Sequence, residues 1–293
     1  MIDDLRDGKE KAVSESAIFV KADFGDEGEL NDLFSKNAID LVVHLAALAN
    51  VPDSVINPLG YYDNNTAKTV TLLKMMQRFA VKKIVFSSTA AVYGEPNYNP
   101  IDELHVKKPV NPYGDSKLMC EQIIKDSAAA YGIQYTIFRY FCAAGATCIN
   151  GEARQKESHL IPVIIDQVLG KRAIVEVFGT NFDTPDGSGV RDFIHVADIA
   201  RAHVLAINSL DRYPNEEYNL GNGKGFSVLE LLRITEEVLH KKVNFKLSPP
   251  RPGDPATLVA TYEKAYRLMG WTPHNTIADI ILSAYNWRIN PRY

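Results

Sequence analysis

The chain alternates short β-branched runs with amphipathic segments. The strand-like runs are SAIFVKADF, AIDLVVHLAA, VKKIVFSS and IQYTIFRYF. The segments between them are EGELNDLFSKN, NTAKTVTLLKMMQRFA and NPYGDSKLMCEQIIKDSAAAYG, and their apolar residues recur at helical spacing. This alternation predicts a parallel sheet with helices on both faces. In such sheets, ligands bind beyond the carboxyl ends of the strands.

The pattern becomes less regular after Gly145, where a polar stretch precedes HLIPVIIDQVLG and RAIVEVFG. The run FIHVADIARAHVLAI is strand-like and then helical, which favours a return to the sheet. We therefore expect an α/β protein made of two interleaved domains. A Rossmann-like doubly wound parallel sheet would span residues 1–145 and 190–210, and a smaller α/β substrate lobe would span residues 146–189 and 211–293.

The start of the chain, MIDDL, is typical of the end of a second strand in a dinucleotide-binding sheet. Asp3 or Asp4 would then bind the adenosine ribose. No Gly-x-x-Gly-x-x-Gly turn occurs in the sequence, so we expect the first βα unit, about 30 residues, to be missing. The later cluster from Gly221 to Gly225 is a phosphate-binding alternative, but its place before a helix favours a turn with Ser227 as the N-cap.

Composition restricts the classes of function. The chain is 46% hydrophobic and 23% charged, as expected of a globular protein with a large core. Its net charge of −4 argues against nucleic-acid and anionic-membrane partners, and no apolar run reaches the length of a membrane span. Its three cysteines predict no disulfide framework and no metal site. Together these features predict a cytoplasmic protein.

The segment NPYGDSK places Tyr113 and Lys117 one helical turn apart. Asn111 and Pro112 are typical of the N-cap and first position of a helix, which fixes the pair at the mouth of the sheet. A tyrosine needs roughly 4 kcal/mol of preferential phenolate stabilisation to act as a base near pH 7. A lysine on the same helix face is one source of that stabilisation. A chance pair at helical spacing is the structural alternative.

Hydroxyl groups end the strand that precedes this helix. Ser87, Ser88 and Thr89 come where a parallel strand should stop, which is the position of ligand chemistry in this architecture. A hydroxyl there can bond the same substrate oxygen that Tyr113 deprotonates. Such residues also form turns, so it is the combination with the Tyr–Lys pair that favours catalysis.

Several longer motifs, taken together, identify a family. They are HLAALANVPDS, YYDNN, VFSSTAAVYGE, NPYGDSKLMCEQI, DGSGVRDFIHVADIARAH, YNLGNGKGFSVLE and RPGDPATLVA. With these motifs the chain resembles the extended short-chain dehydrogenase/reductase family nearly end to end, and most closely its UDP-glucose 4-epimerases.

The resemblance implies a tightly bound NAD and a UDP-sugar substrate. Tyr113 would take the proton of the sugar 4-hydroxyl, Thr89 would bond the 4-oxygen, and Lys117 would lower the Tyr113 pKa and hold the nicotinamide ribose. The sugar would be oxidised transiently at C4, and the hydride would return to the opposite face. The resemblance also implies a homodimer built through the two long helices of the sheet domain.

Further site residues follow from the same resemblance. Those expected at the cofactor are Asp3, Asp4, Asp23, Phe24, Leu45, Ala46, Ala47, Asn65, Ser87, Ser88, Tyr113, Lys117 and Tyr140. Those expected at the substrate are Thr89, Cys142, Leu160, Phe178, Arg191, Arg251, Asp254 and Leu258. Two positions depart from the family, which usually has asparagine at Cys142 and lysine at Ala49. A thiol cannot replace the donor and acceptor pair of an amide.

Other functions remain open from the sequence. UDP-pentoses, UDP-uronates and UDP-N-acetylhexosamines are alternative substrates, and a reductase that releases a keto sugar is a weaker alternative. A 4,6-dehydratase would need an acidic pair where this chain has Ala90 and Ala91. A different class is a truncated, non-catalytic fragment unable to hold NAD. His44 and His195 are expected to be structural, and Arg191 has an ion pair with Asp192 as its structural alternative.

Overall fold

The fold is described from a computed structural model, which covers residues 1–154, 157–251 and 254–293. Its β-strands are β1 Ile2–Asp3, β2 Val20–Lys21, β3 Val42–His44, β4 Lys83–Thr89, β5 Gln134–Tyr140, β6 Cys142–Ala144, β7 Val175–Phe178, β8 Val190–His195, β9 Glu216–Leu220, β10 Gly225–Ser227, β11 Phe245–Ser248 and β12 Thr257–Leu258.

The α-helices follow the pattern expected from the apolar spacing. They are α1 Glu27–Lys36, α2 Val51–Ile56, α3 Pro58–Tyr61, α4 Lys68–Arg78, α5 Pro112–Tyr131, α6 Leu160–Val168, α7 Val196–Ser209, α8 Val228–Leu239, α9 Glu263–Met269 and α10 Ile277–Ile289. A π-helical turn, Tyr62–Ala67, leads into α4, and short 3₁₀ turns span Glu10–Ala12 and Ala90–Val92.

A four-stranded parallel sheet in the order β3-β4-β5-β9 forms the centre of the first unit. The first thirty residues of the chain contribute a separate parallel pair, β1 and β2. One apolar cluster joins α1, α4 and α5 to the sheet, and another joins α7 and α9 to it. The sheet therefore has helices on both faces, which confirms the α/β, Rossmann-like prediction.

The remaining strands build the substrate side. β8 pairs with β10, β12 and β6, while β7 pairs with β11. An apolar cluster that includes Ile161, Phe193, Leu231 and Ile280 joins α6, α8 and α10 over these strands. This lobe has its own core, as a separate α/β unit requires.

The pairing of the strands crosses the predicted domain boundaries. β9, assigned to the lobe, pairs with β5 in the main sheet. β8, assigned to the sheet domain, pairs with β10 and β12 of the lobe and with β6, which the prediction also assigns to the sheet domain. Both strands are short, and pairing between distant segments leaves no local signal in the sequence. No helix in the described part of the chain is long and apolar enough to cross a membrane.

Candidate active site

The helix α5 begins where the sequence predicts. The Asn111 side chain accepts a hydrogen bond from the Gly114 N–H at 2.9 Å, and Pro112 occupies the first helical position. The helix ends at Gly132, whose φ of 67° is the left-handed conformation that glycine adopts without strain. Tyr113 and Lys117 therefore lie on the first two turns of a helix with fixed ends.

Gly114 allows this first turn to pack against the segment that follows β4. A Cβ atom at Gly114 would lie 2.6 Å from the carbonyl oxygen of Ala91, closer than real Cβ contacts come. Thr89 ends β4, and its hydroxyl accepts the Ala91 N–H at 3.1 Å. The close approach brings the start of α5 to the carboxyl end of β4, which is where the Tyr113 base would be needed.

The Tyr113 phenol lies near Thr89. Burial raises the pKa of Tyr113, while hydrogen bonding by Thr89 and the positive charge of Arg154 oppose this rise. Burial therefore favours the neutral phenol of Tyr113 in the protein alone.

Lys117 is buried against the sheet, with 2% of its surface exposed. Its ammonium lies over the Phe86 ring, 4.2 Å from the ring centre. Burial lowers its pKa to about 8, although the charge of Glu121 opposes the fall. No ion pair to Lys117 is present within residues 1–154, 157–251 and 254–293. A ligand hydroxyl or phosphate would find an unpaired ammonium here.

His44 is structural, as expected. Its Nε2 lies 3.1 Å from the Thr69 hydroxyl, and burial together with the Lys117 charge lowers the His44 pKa to about 3. His195 is also structural. Its Nδ1 accepts the Ala197 N–H at 3.0 Å and so caps α7, while its Nε2 lies 3.0 Å from Ser283. Neither imidazole is free to transfer protons at the strand ends.

An open cleft lies at the carboxyl ends of β1, β2 and β3. Its cavity volume is about 120 Å³. Predicted cofactor residues from three separate segments line it: Asp3, Asp4, Phe24, Ala46 and Ala47. Carboxylates for a ribose, an aromatic ring and two small side chains are a fitting set for the adenosine half of NAD. Asp3 and Asp4 also bond the backbone N–H groups of Leu5 and Arg6.

Two further predicted residues support this cleft from behind. The carboxylate of Asp23 accepts hydrogen bonds from the Gly25 N–H at 2.8 Å and from the Lys68 ammonium at 2.5 Å. Burial alone would raise the pKa of Asp23, but these two bonds outweigh burial and lower it. Asn65 bonds both backbone groups of Leu48, at 2.8 and 3.0 Å. It thereby holds the loop that carries Ala46 and Ala47.

The remaining predicted cofactor residues are placed differently. Leu45 follows β3 directly and is largely exposed. The Ser88 hydroxyl donates to buried Glu121 at 2.5 Å, and the Tyr140 hydroxyl lies 2.8 Å from His203, so both of these side chains already have protein partners. Ser87 lies beside Tyr140. Burial raises the pKa of Tyr140, and hydrogen bonding by Ser87 partly offsets that rise.

The predicted substrate residues form two groups in the lobe. In the first, Leu258 is the register partner of Arg191 across β12 and β8, and the Arg191 charge partly offsets the burial that raises the pKa of Cys142 to about 11. In the second, the Arg251 guanidinium stacks on Phe178, 3.8 Å from the ring centre. Asp254 bonds the Arg251 carbonyl through its N–H. Pro252 and Gly253, of the RPGD motif, lie outside the described residues.

Leu160 is the first residue of α6 and belongs to neither group. The ion pair considered between Arg191 and Asp192 is absent from the described part of the chain, since Arg191 bonds the Val190 carbonyl. Asp192 instead accepts the N–H groups of Asn222, Gly223 and Ala260. Burial raises the Asp192 pKa to about 6.

The glycine cluster from Gly221 to Gly225 is a turn, as favoured, and not a phosphate cradle. The Asp192 carboxylate already accepts its N–H groups. Ser227 caps α8 by accepting the Glu230 N–H at 3.0 Å.

Sequence reasoning missed three residues. Arg154 favours the Tyr113 phenolate, Asn64 lines the cofactor cleft, and Glu121 bonds the strand-end serine. Glu121 lies one turn beyond Lys117, so its helical spacing was a usable signal. Arg154 lies in a polar stretch with no periodic pattern, and no local signal marks it.

Comparisons with known proteins agree with this geometry. Residues 1–221 match the family model described as the NAD dependent epimerase/dehydratase family. A UDP-glucose 4-epimerase of Lacticaseibacillus casei is 42% identical over 99% of the chain and 89% of the relative. One from Halalkalibacterium halodurans is 44% identical over 98% of the chain and 87% of the relative.

The chain is also similar to a solved structure of a UDP-glucose 4-epimerase. The UDP-glucose 4-epimerase of Bifidobacterium longum in complex with NAD⁺ and UDP superposes with a TM-score of 0.95 at 37% identity, covering 99% of the chain and 90% of that structure. The expectation that an N-terminal βα unit is missing is not confirmed by these comparisons.

Proposed function

Because the chain belongs to the NAD-dependent epimerase/dehydratase family, we propose that it inverts C4 of a UDP-sugar, interconverting UDP-glucose and UDP-galactose. One observation supports this most strongly: the first turn of the helix that carries Tyr113 packs against the segment after Thr89, at the carboxyl end of a central parallel strand. This is the position at which such sheets bind and transform ligands.

When bound, NAD would supply the hydride acceptor of the reaction. Asp3 or Asp4, Phe24, Ala46 and Ala47 would hold its adenosine half, and Lys117 would hold the nicotinamide ribose. The two halves of NAD would therefore meet different chemistry. The cleft offers carboxylates and small apolar side chains, and the buried Lys117 offers an unpaired cation.

Tyr113 is the group that moves the proton. Its phenolate oxygen takes the proton of the sugar 4-hydroxyl as the C4 hydride departs, and it gives the proton back when the hydride returns. Thr89 donates a hydrogen bond to the 4-oxygen and fixes its position beside the phenol. Since burial raises the Tyr113 pKa, the phenolate needs positive charge nearby, and Arg154 and Lys117 are the cations of the site.

The two lobe groups would bind the nucleotide. Arg191 and Arg251 carry guanidinium forks, which suit a diphosphate. Phe178, with Arg251 stacked on it, offers a flat face to the uracil, and Leu160 and Asp254 would complete the pocket. Cys142 and Leu258 lie beside Arg191, where they would border the sugar.

UDP-pentoses, UDP-uronates and UDP-N-acetylhexosamines are the second choice of substrate. The thiol of Cys142 favours this alternative, since it offers less hydrogen bonding to a sugar than an amide. Dehydration is disfavoured because Ala90 and Ala91, in the turn after Thr89, carry no proton donor or acceptor.

The protein would act as a homodimer in the cytoplasm. An exposed apolar patch on α2, α3 and α5 supports the dimer; it is formed by Val55, Ile56, Leu59 and Met119. Contiguous apolar surface of this kind marks interfaces. Three free cysteines, one of them exposed, are usual in a reducing compartment.

The test is incubation of the protein and NAD with UDP-glucose, UDP-N-acetylglucosamine and UDP-xylose in parallel, followed by separation and identification of the product sugars. We expect UDP-galactose from UDP-glucose, with slower conversion of the others. Failure to invert any of the three would refute the proposal.

A further inference from the structure

A buried ionic cluster lies directly behind the Tyr113 and Lys117 pair. Glu121, one turn beyond Lys117 on α5, and Arg139, on β5, are both fully buried. The Arg139 guanidinium binds the Glu121 carboxylate with two bonds, Nε to Oε1 at 2.9 Å and a terminal nitrogen to Oε2 at 2.7 Å. The Ser88 hydroxyl donates a third bond to Oε1 at 2.5 Å.

The cluster joins the elements that carry the reacting groups. Ser88 immediately precedes Thr89 on β4, and its register partner on β5 is Arg139. Glu121 receives bonds from both, so one carboxylate ties the end of β4 and its neighbour β5 to the helix that bears Tyr113. Arg139 in turn bonds the Tyr93 hydroxyl at 3.0 Å and pairs with Glu217 of β9.

Stability alone is a poor reason for such a cluster. Removing two charges from water costs several kcal/mol per ion, and apolar residues of similar volume often do as well or better. A two-bond carboxylate–guanidinium pair, however, fixes distance and orientation more narrowly than apolar packing does. The position of the cluster, one residue from Thr89 and one turn from Lys117, therefore points to alignment of the site.

We propose that Glu121 is a positioning residue, which with Arg139 and Ser88 holds the Tyr113 phenol and the Lys117 ammonium in register with Thr89. This inference rests on the proposed function. Glu121 touches neither substrate nor cofactor in this account, and it acts through the helix and through the strand-end hydroxyl.

Glu121 also acts on Lys117 through its charge. The titratable groups that interact with the Lys117 ammonium are His44 from β3, and Cys120 and Glu121 from α5, while β4 contributes the ring of Phe86. His44 is neutral near pH 7 because burial depresses its pKa, and burial raises that of the Cys120 thiol, so Glu121 is the anion of this set. Removing its charge favours the loss of the Lys117 proton.

The test begins with Ser88→Ala, which removes one bond to Glu121 and leaves its ion pair with Arg139. Ser127→Ala is the control, since Ser127 is buried on the same helix and is not bonded to this cluster. We expect Ser88→Ala to lower kcat about tenfold, with KM for UDP-glucose and bound NAD unchanged. A kcat within twofold of the control, or loss of bound NAD, would overturn the proposal.

The second variant is Glu121→Gln, assayed across pH. If Lys117 must be protonated, activity falls at high pH as the ammonium loses its proton, and this fall should move to lower pH in Glu121→Gln. A merely structural role would lower activity without moving the profile, and that result would contradict the positioning account. If Glu121→Gln does not fold, the kcat of Ser88→Ala relative to its control decides whether the positioning proposal holds. An inactive wild-type protein would refute the proposed function instead, which separates the two failures.

Discussion

At the scale of single residues, the site depends on two buried groups whose charged forms are disfavoured by burial. Burial raises the pKa of Tyr113 and lowers that of Lys117 to about 8. A phenolate and an ammonium in the same site would stabilise each other, and a cationic nicotinamide would add to the stabilisation of the phenolate. The protein therefore supplies position and burial, and the bound ligands complete the charge balance.

Tyr113→Phe tests the base directly. The variant keeps the ring and its edge-on contact with Tyr61 but lacks the hydroxyl. We expect turnover to fall about 10²–10⁴-fold, the usual contribution of a general base, with bound NAD retained. Turnover and cofactor released on denaturation are the two measurements. Epimerisation at the wild-type rate would remove Tyr113 from the mechanism.

Lys117 makes folding stability depend on pH. Its pKa is about 8 in the folded protein and 10.5 ordinarily. Between these values the unfolded chain binds the proton that the folded protein has lost, so the free energy of unfolding rises with pH. The penalty of burying the cation is complete below about pH 8 and absent above about pH 10.5.

Lys117→Met should therefore stabilise the protein, stripped of nucleotide, by up to about 3 kcal/mol at pH 7. The gain should shrink by pH 10, as the native lysine becomes neutral in the folded state. Chemical denaturation of both proteins at the two pH values measures it. A gain of equal size at both values would show that the pKa of Lys117 is not depressed.

At the scale of elements, the first turn of α5 is the decisive feature. Its cap and its proline follow from NPYGDSK, and the structure confirms both. The role of Gly114 was not evident from the sequence, because it arises from the close approach of the Ala91 carbonyl. That contact determines how near Tyr113 comes to Thr89.

Gly114→Ala should move Tyr113 away from Thr89. The added methyl group must displace the Ala91 backbone or the helix, and we expect kcat to fall at least tenfold even though alanine is the better helix former. Gly28→Ala in α1 is a suitable control, since its Cβ would meet only the Asp26 side chain at 3.3 Å. Equal activity of the two variants in a steady-state assay would argue against this role of Gly114.

The sequence predicts the helices and strands better than it predicts the contacts between them. Strand and helix positions followed from apolar periodicity, and the cofactor residues of the first cleft followed from family motifs. The placement of β9 in the main sheet did not, and neither did the bonding of Ser88 to Glu121 and Arg139. Those features depend on which strands become neighbours, and Glu121 and Arg139 meet only because α5 packs over β5.

At the scale of the whole molecule, the two units divide the work. In the proposed function, the sheet unit would provide the cofactor cleft and the proton-transfer pair, and the lobe would provide the arginines and the aromatic ring that bind a nucleotide. The exposed patch of Val55, Ile56, Leu59 and Met119 lies on α2, α3 and α5 and takes no part in either task. This leaves it available for association with a second copy.

Ile56→Lys combined with Leu59→Glu should abolish the proposed dimer, because each change places a charge in the apolar patch. We expect size-exclusion chromatography with light scattering to report a mass that falls to the 32.6 kDa of one chain. Ile289→Lys changes an exposed apolar residue outside the patch and should have no effect on the mass. Dimers that persist in the double variant would place the interface elsewhere.

The most direct test of the account follows a labelled hydrogen through the reaction. UDP-glucose carrying deuterium at C4 is incubated with the protein and NAD, and the UDP-galactose formed is examined by NMR and mass spectrometry. Transient oxidation with return of the same hydride predicts that C4 is inverted and the deuterium remains on it. Inversion with loss of the label to water, or no inversion at all, would contradict the central claim.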